Sequence, residues 1–302
     1  MCGIVGLFLK NSKLQNELGK HLSEMLVKLS DRGPDSAGLA LYSGSSDFEL
    51  KITLRFEDLT CIENVKVALD RELSGRLAFE IRASHVVLKI FESDYDLVLK
   101  ILSGVDSSTR LMSRGRAIEI FKEVGSPEKF VEDFKIRNVT GTHGIGHTRM
   151  ATESAVTTMG AHPFSTGADQ CLVHNGSLSN HNSVRRKLIN EGREFETDND
   201  SEVAASYLSH KMSSGSSFTS ALNDSLDDLD GFFTFVVGTR EGFGVLRDRI
   251  ACKPAVLVET DDYVAFGSEY RALTNLPNIN LAKVWEPKPA KVYFWEHKHE
   301  NF

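Results

Sequence analysis

The hydrophobic pattern at the start of the chain predicts a buried strand followed by an amphipathic helix. Residues 2–9 form an almost uninterrupted apolar run, which is typical of a strand covered on both faces. Large apolar residues then recur every three to four positions from Leu14 to Leu29, and this spacing places them on one helix face. A glycine–proline pair follows that helix, and residues 39–42 resume as a strand.

Between residues 44 and 137 the pattern changes and predicts an inserted α+β unit. Alternating apolar residues over 50–56 predict a strand. Further strands are predicted at 86–91 and 118–121, and helices near 63–73, near 95–102 and over 127–134. We therefore expect one large domain interrupted by a small α+β subdomain at 44–137.

The last third of the chain is rich in predicted strands. Helical spacing extends over 182–191 and 201–212, and short apolar runs at 232–238, 244–246, 255–259, 264–266 and 292–295 predict strands. Between 141 and 182, small polar residues, glycines and five histidines dominate. That stretch is poor in core material, and its composition is typical of a functional site.

Composition and charge exclude several classes of protein. The chain has 302 residues, of which 41% are hydrophobic and 25% charged, as in soluble globular proteins. The net charge of −7 offers no basic field for nucleic acid phosphates. The apolar run at 4–9 is too short for a signal peptide or a membrane span. We expect a cytoplasmic protein that binds neither nucleic acid nor membrane.

Cys2 stands at an unusual place among the four cysteines, none of which forms a C-x-x-C pair. The initiator methionine is normally removed when the next residue is small. Cys2 would then carry a free α-amine, whose ordinary pKa of about 7.7–8.0 lets it accept the thiol proton. The alternative interpretation is a small buried thiol without a chemical role.

Other motifs supply the groups that an acyl-transfer nucleophile needs. Asn175 and Gly176 offer a side-chain amide beside an unhindered backbone N–H, a combination suited to an oxyanion. Arg149 can pair with a carboxylate through two hydrogen bonds. Asp200 precedes a predicted helix, where it can bind a substrate ammonium group or cap the helix.

Six short motifs together resemble the class II glutamine amidotransferases, which are N-terminal-nucleophile hydrolases. They are C-G-I-V-G from residue 2, R-G-P-D-S-A-G from 32, G-H-T-R from 146, A-H-P from 161, H-N-G from 174 and N-D-S-E from 199. The resemblance covers 1–43 and 138–270. It implies an α+β fold, a four-layer α/β/β/α sandwich over 1–302 with the inserted lobe at 44–137.

The resemblance also implies a role for each residue of the motifs. Cys2 attacks the glutamine side-chain amide, forms a γ-glutamyl thioester and releases ammonia, and water then releases glutamate. Asn175 and Gly176 hold the oxyanion. Arg149 binds the substrate α-carboxylate, and Asp200 binds its α-ammonium group.

Three further residues are assigned by the same resemblance. Thr152 helps to fix the substrate carboxylate, and Arg32 and Gly33 belong to the loop that lines the nucleophile. The chain departs from some relatives at Met150 and Glu153, where an aromatic residue and a histidine stand in those proteins. These departures concern closure of the substrate loop rather than the nucleophile.

A metal site is the competing interpretation of the histidines. His143, His147, Cys171 and His174 can be written as a zinc set, but Gly144 and Gly146 lie between the first two histidines and argue against one helical face, and His147 and His174 belong to the amidotransferase motifs. We therefore expect no metal and no cofactor in this chain. We expect His162 and His174 to donate hydrogen bonds that hold the loops.

Among the class II amidotransferases, the chain most resembles stand-alone subunits related to glutamate synthase, including that of bacterial N-methylglutamate synthase. This implies a hetero-oligomeric complex with synthase subunits that carry FMN and iron–sulfur clusters. The lobe at 44–137 is expected to be a docking surface. Two alternatives stay open, namely an amidase acting on another amide and a regulatory or scaffolding subunit with weak hydrolysis.

Overall fold

Two antiparallel sheets lie face to face in the computed structural model, which describes residues 2–44, 48–151 and 156–297. The strands are β1 Gly3–Leu9, β2 Ser36–Tyr42, β3 Leu50–Arg55, β4 Leu77–Arg82, β5 His85–Ile90, β6 Arg110–Gly115, β7 Ile118–Val124, β8 His143–Arg149, β9 Phe164–Gly167, β10 Gln170–Leu178, β11 Gly231–Gly238, β12 Gly242–Arg247, β13 Val256–Glu259, β14 Tyr263–Gly267, β15 Lys283–Trp285 and β16 Tyr293–Glu296. The α-helices are α1 Leu18–Val27, α2 Cys61–Leu73, α3 Tyr95–Val105, α4 Pro127–Asp133, α5 His181–Asn190, α6 Asp200–Ser213 and α7 Phe218–Asp228.

The sheets form the two inner layers of a sandwich. One has seven strands in the order β15-β13-β14-β1-β8-β2-β7, and the other has five in the order β16-β12-β11-β10-β9. Ile4 and Phe8 of the first sheet pack against Val173, Val236 and Phe243 of the second in one buried cluster. Helix α1 covers the outer face of the seven-stranded sheet, and α5, α6 and α7 cover the five-stranded one. The predicted four-layer α/β/β/α fold is confirmed.

The strand predicted at the N-terminus is the fourth of the seven. Every residue of β1 is buried, and the strand pairs with β14 along one edge and with β8 along the other. The helix predicted between Leu14 and Leu29 is shorter, because residues 12–17 form 3-10 turns after the Asn11 cap. The strands and helices predicted in the last third lie close to their observed limits.

Strand β8 lies in the stretch 141–182, which we expected to contribute little to the core. For the residues of β8 that expectation is wrong. Every residue of β8 is buried, and the strand lies between β1 and β2. Its glycines admit the helix above it, since a Cβ on Gly144 would lie 2.7 Å from Leu22 Cδ1 and one on Gly146 would lie 3.2 Å from Leu26 Cδ1. Small residues therefore serve close packing here rather than a loop.

A third sheet, in the order β4-β5-β3-β6, forms a lobe with α2 and α3 packed on its apolar face. This lobe and the predicted 44–137 segment do not have the same limits. Strand β7 pairs with β2 in the seven-stranded sheet, and α4 packs near α1. The two elements after Gly115 thus belong to the sandwich, and the division into a domain and an inserted subdomain stays a prediction. Within the described ranges, no helix has the length and apolar character that crossing a membrane requires.

Three fully buried histidines are expected to make the fold sensitive to acid. Burial lowers the pKa of His85, His143 and His147 to about 3. The unfolded chain takes up a proton on each ring near its ordinary pKa of about 6.5, whereas the folded chain does not. Stability is therefore complete above that value and is lost as the pH falls towards 3.

We predict that each of these histidines costs about 2 kcal/mol of unfolding free energy between about pH 7 and pH 5. Urea titrations at both pH values measure the total. In the variant His85→Leu, the fall in unfolding free energy from pH 7 to pH 5 should be smaller by about 2 kcal/mol, the contribution of one histidine. A variant with the pH dependence of the wild type would contradict the assignment.

Candidate active site

The residues predicted to act in catalysis line one cavity of about 670 Å³. The cavity wall includes Cys2, Arg149, Asn175, Gly176 and Asp200. Its remaining described wall is formed by residues within 150–151, 157–162, 174–181 and 197–201. Thr152 and Glu153 lie outside the described residues. The structure thus brings together groups that are up to 198 positions apart in the printed sequence.

The sandwich explains this convergence. Cys2 immediately precedes β1, and Arg149 ends the neighbouring β8, where Gly3 is paired with Thr148. Asn175 lies on β10 of the facing sheet. Asp200 begins α6, which packs on β9 and β10. Both inner layers and one outer helix therefore contribute to the cavity.

The backbone of Cys2 is held from two sides. Arg32 donates from Nε to the Cys2 carbonyl at 3.0 Å, and Asn175 donates from Nδ2 to the same oxygen at 3.3 Å. The thiol sulfur lies 3.9 Å from the Met150 carbonyl oxygen. Arg32 is itself paired with Glu269, with Nη1 and Oε1 2.5 Å apart. Arg32 therefore lies behind Cys2 and not in the cavity wall.

Gly33 also lies behind Cys2, where two backbone segments touch. A Cβ at this position would lie 2.5 Å from the Arg149 backbone nitrogen and would meet the Thr148 carbonyl group. Only glycine lets the loop after α1 rest on the end of β8. Arg32 and Gly33 thus contact the backbone around Cys2 but do not line the cavity, and their part in substrate binding stays a prediction.

Gly176 occupies a backbone conformation that favours glycine, with φ at +152°. A Cβ there would collide with the Phe232 carbonyl oxygen and lie 2.7 Å from Phe233 Cα. The residue pairs with Phe233 of β11, so its lack of a side chain allows β10 to stay in register as it reaches the cavity. Its neighbour Asn175 is 5% exposed and has its amide directed at Cys2.

Asp200 carries a stabilised negative charge. Burial raises the pKa of this carboxyl group, but hydrogen bonding and attraction from His174, with a hydrogen bond from the Leu178 N–H at 2.9 Å, lower it to about 2. The helix cap is made by another residue, since Asn199 Oδ1 accepts the Ser201 N–H at 2.9 Å. Asp200 is thus available to a ligand as an anion.

Arg149 is 7% exposed, and its guanidinium group lies beside Gly160. A Cβ on Gly160 would be 3.2 Å from Arg149 Nη1. The Gly160 carbonyl accepts a hydrogen bond from Asn199 Nδ2 at 3.4 Å. The loop through Gly160 therefore connects the predicted carboxylate-binding residue with the residue that precedes Asp200.

The histidines near the cavity have structural contacts. His174 shares a hydrogen bond of 2.9 Å with the Ser201 hydroxyl, as expected of a residue that holds a loop. His147 donates from Nε2 to the His174 carbonyl at 3.2 Å. The expectation is wrong for His162, whose ring nitrogens have no hydrogen-bond partner among the described residues and whose ring stacks on His147 at 4.0 Å.

The zinc interpretation gains no support from the contacts of its members. His143 Nε2 donates to the Thr239 carbonyl at 2.8 Å, and the Cys171 sulfur lies 3.3 Å from the Tyr42 hydroxyl. In the ranges 2–44, 48–151 and 156–297, no group of three or more histidine, cysteine, aspartate or glutamate side chains is arranged to hold a metal ion.

Three residues around the cavity were missed from the sequence. Asn199 caps α6, and an Asn two positions before the serine of N-D-S-E is a recognisable N-cap signal. Gly160 lacked such a signal because its role depends on the approach of Arg149. Glu269 pairs with Arg32 across 237 positions of the chain, so no local pattern reveals it.

Two facing antiparallel sheets between helical layers, with a cysteine at the head of an inner strand, form the architecture of the N-terminal-nucleophile hydrolase fold. The family described as "Glutamine amidotransferase domain" matches residues 147–275. The chain is 56% identical to the "Glutamine amidotransferase-like protein GlxB" of Rhizobium meliloti (strain 1021), over 99% of both chains. It is 32% identical to a "Putative glutamine amidotransferase" of Methanothermobacter thermautotrophicus, over 97% of this chain and 99% of that one.

A solved structure shows the same fold. The glutamine phosphoribosylpyrophosphate amidotransferase from B. subtilis superposes with a TM-score of 0.63 at 18% identity. The superposition covers 98% of this chain and 47% of that enzyme, so the chain spans about half of its length. The protein belongs to the class II glutamine amidotransferases, as the motifs indicated.

We predict that Gly176→Ala destabilises the fold more than Gly192→Ala does. Both glycines have positive φ, which costs alanine on the order of 1 kcal/mol at either site. Only at Gly176 does the added Cβ also collide with backbone, since nothing lies within 4 Å at Gly192. Thermal unfolding of both variants measures the difference, and equal losses in Tm would contradict the packing argument.

Proposed function

We propose that this chain hydrolyses the side-chain amide of glutamine with Cys2 as the nucleophile and delivers the ammonia to a synthase partner. The observation that carries the proposal is the shared cavity. A thiol, an amide donor, a guanidinium group and a carboxylate from four separate segments face the same space. Thiol attack on an amide, with recognition of an amino-acid head group, requires this set of groups.

The charged residues favour glutamine over other amides. The guanidinium of Arg149 suits the α-carboxylate of the substrate, and the anionic Asp200 suits its α-ammonium group. An amide without an amino-acid head group offers neither charge, which disfavours the alternative amidase. Thr152 is proposed to help hold the same carboxylate.

The proposed reaction begins with loss of Met1, which leaves Cys2 with a free α-amine. The amine accepts the thiol proton, and the sulfur attacks the amide carbon of glutamine. Asn175 Nδ2 and the Gly176 N–H stabilise the oxyanion, and the amine returns its proton to the departing ammonia. Water, deprotonated by the same amine, then cleaves the γ-glutamyl thioester to glutamate.

His147 and His162 are poor candidates for the general base. Burial lowers the pKa of His147 to about 3 and that of His162 well below its usual range. Groups with such low proton affinity stay neutral near pH 7 and hold an accepted proton weakly. The α-amine of Cys2 is therefore the preferred base. Arg32 and Gly33 are proposed to position the backbone from which that amine and thiol project.

We predict that Cys2→Ala abolishes glutamate release from glutamine and leaves the fold intact, because no other group in the cavity can form the thioester. Cys252→Ala is the matched control, since Cys252 is an exposed thiol outside the cavity. Glutaminase activity, thermal unfolding and intact mass are measured for the wild type and both variants. Hydrolysis by Cys2→Ala at the wild-type rate, or an active wild type that retains Met1, would refute the mechanism.

The second part of the proposal concerns the fate of ammonia. Released ammonia is useful only where an acceptor consumes it, and the motifs most resemble subunits of glutamate synthase-like and N-methylglutamate synthase complexes. We propose a synthase partner of that class, with FMN and iron–sulfur clusters on the partner and none on this chain. The proposed docking role of the lobe β3–β6 belongs to the same complex.

We predict that the tagged chain, purified from its native host, co-elutes with a flavin- and iron-containing synthase. Glutamine should support product formation by that complex, and the complex of Cys2→Ala should use only added ammonia, because its synthase sites are unchanged. Size-exclusion chromatography, flavin and iron assays and both activities test this. A chain that elutes without such a partner and hydrolyses glutamine at full rate would contradict the proposal.

A further inference from the structure

Strand β7 places a buried cation beneath the loop 157–163. Lys122 is 4% exposed, and its Nζ donates to the carbonyl oxygens of Met159 at 3.2 Å, Ala161 at 2.9 Å and Pro163 at 3.4 Å. An ammonium group has three N–H donors, and this one loop accepts all three. One side chain thereby fixes alternate carbonyls over five consecutive residues.

The loop that Lys122 holds forms part of the substrate cavity. Thr157, Gly160 and His162 lie in the cavity wall. Gly160 lies against the guanidinium of Arg149, and its carbonyl accepts the hydrogen bond from Asn199. A shift of this loop therefore changes the surroundings of Arg149 and Asp200, which are proposed to bind the α-carboxyl and α-amino groups of glutamine.

Lys122 itself lies on the other side of the loop. It faces a second cavity of about 570 Å³ between the lobe and the sandwich, together with Glu196 and Glu202. It is not part of the wall of the cavity at Cys2. Any influence of Lys122 on the reaction must therefore pass through the loop.

We propose that Lys122 is a positioning residue that holds the loop 157–163 in the shape that binds the α-amino and α-carboxyl groups of glutamine. This inference rests on the proposed function and extends it to a residue outside the cavity. Lys122 contacts neither Cys2 nor the oxyanion donors in the described structure, so its effect is on substrate binding and not on the thiol chemistry.

The cost of burying this charge supports the assignment. Among the described residues, no carboxylate lies within 4.0 Å of the Lys122 ammonium, and its positive charge is met by carbonyl dipoles and by the Phe164 ring at 4.7 Å. Burial lowers its pKa to about 8, against attraction from Glu196 and Glu202. A neutral apolar residue would pack there at less cost, so the fold tolerates the cation for the hydrogen bonds that it donates.

Lys51 provides a matched control. It is also buried, at 2% exposure, but it donates to Glu119 at 3.1 Å and to the Ser43 hydroxyl at 2.5 Å. It belongs to β3 of the lobe and lines neither cavity. Lys51→Met therefore removes a buried ammonium group without touching the loop 157–163.

The test compares Lys122→Met with Lys51→Met in the full chain. We expect Lys122→Met to raise the KM for glutamine about tenfold while kcat falls less than about twofold, as for a loss of ground-state binding. Alkylation of Cys2 by iodoacetamide, which lacks the amino-acid head group, should proceed at the wild-type rate. Lys51→Met should change stability and leave KM unchanged.

Two outcomes would overturn the inference. One is a KM for Lys122→Met within about twofold of the wild-type value. The other is that kcat falls, KM rises and the alkylation of Cys2 slows by similar factors, which would mean collapse of the whole site. If Lys122→Met fails to fold, Lys122→Gln decides by the same criteria, because glutamine retains two N–H donors but has a shorter reach and no charge.

A binding measurement separates this inference from the proposed function. Titration calorimetry of glutamine with Cys2→Ala and with Cys2→Ala/Lys122→Met reports the head-group site without any hydrolysis. Weaker binding in the double variant, with no hydrolysis by the wild type, would refute the proposed function and leave the positioning role standing. Equal binding by both proteins refutes the positioning role whether or not the wild type is active.

Discussion

The carbonyl oxygen of Cys2 accepts two hydrogen bonds, and the geometry of the whole site depends on that pair. One donor, Arg32, comes from the loop after α1, and the other, Asn175, comes from the facing sheet. Because the carbonyl is fixed from both sides, Cys2 at the head of β1 has a defined position relative to Asn175 and Gly176. Glu269 extends this restraint by pairing with Arg32 from the segment after β14. Cys2 is thus positioned by contacts to its backbone, and the residue lines the cavity as the proposed nucleophile.

Close backbone contact is the second requirement, and glycines at particular places provide it. Gly33 lets a loop rest on β8, Gly144 admits α1, and Gly176 lets β10 reach the cavity beside β11. At each of these positions an added Cβ would lie within 2.7 Å of a neighbouring atom. Such contacts bring charged groups from different layers to one place. They also explain why a stretch with little apolar character forms an inner strand of the seven-stranded sheet.

Buried charges in and beside the cavity are held by hydrogen bonds, and buried neutral histidines make the fold sensitive to acid. Asp200 keeps its charge because His174 and the Leu178 N–H outweigh the effect of burial. Lys122 keeps its place because three carbonyls of one loop accept its donors. Polar groups held in this way are costly to displace, so they give the cavity and the loop beside it a fixed geometry, which the proposed recognition of glutamine requires. The neutral buried histidines belong to the same balance, since the packing that excludes water also lowers their pKa.

The sequence by itself determined the elements whose apolar pattern reports local burial, among them β1, α5 and α6, and the order of motifs that place Cys2, Asn175 and Asp200 in one family. It did not reveal β4, β6, β8 or α7. The sequence of β8 consists mostly of glycines and polar residues and has no apolar alternation. Its residues are buried because helix α1 and the neighbouring strands cover them. Only the tertiary structure decided that β7 joins the seven-stranded sheet, that Asn199 and not Asp200 caps α6, and that Lys122 lies beneath the loop 157–163. Each of these depends on which segments become neighbours in the fold. The periodicity of a sequence indicates which residues are buried, but it does not indicate the segments against which they pack.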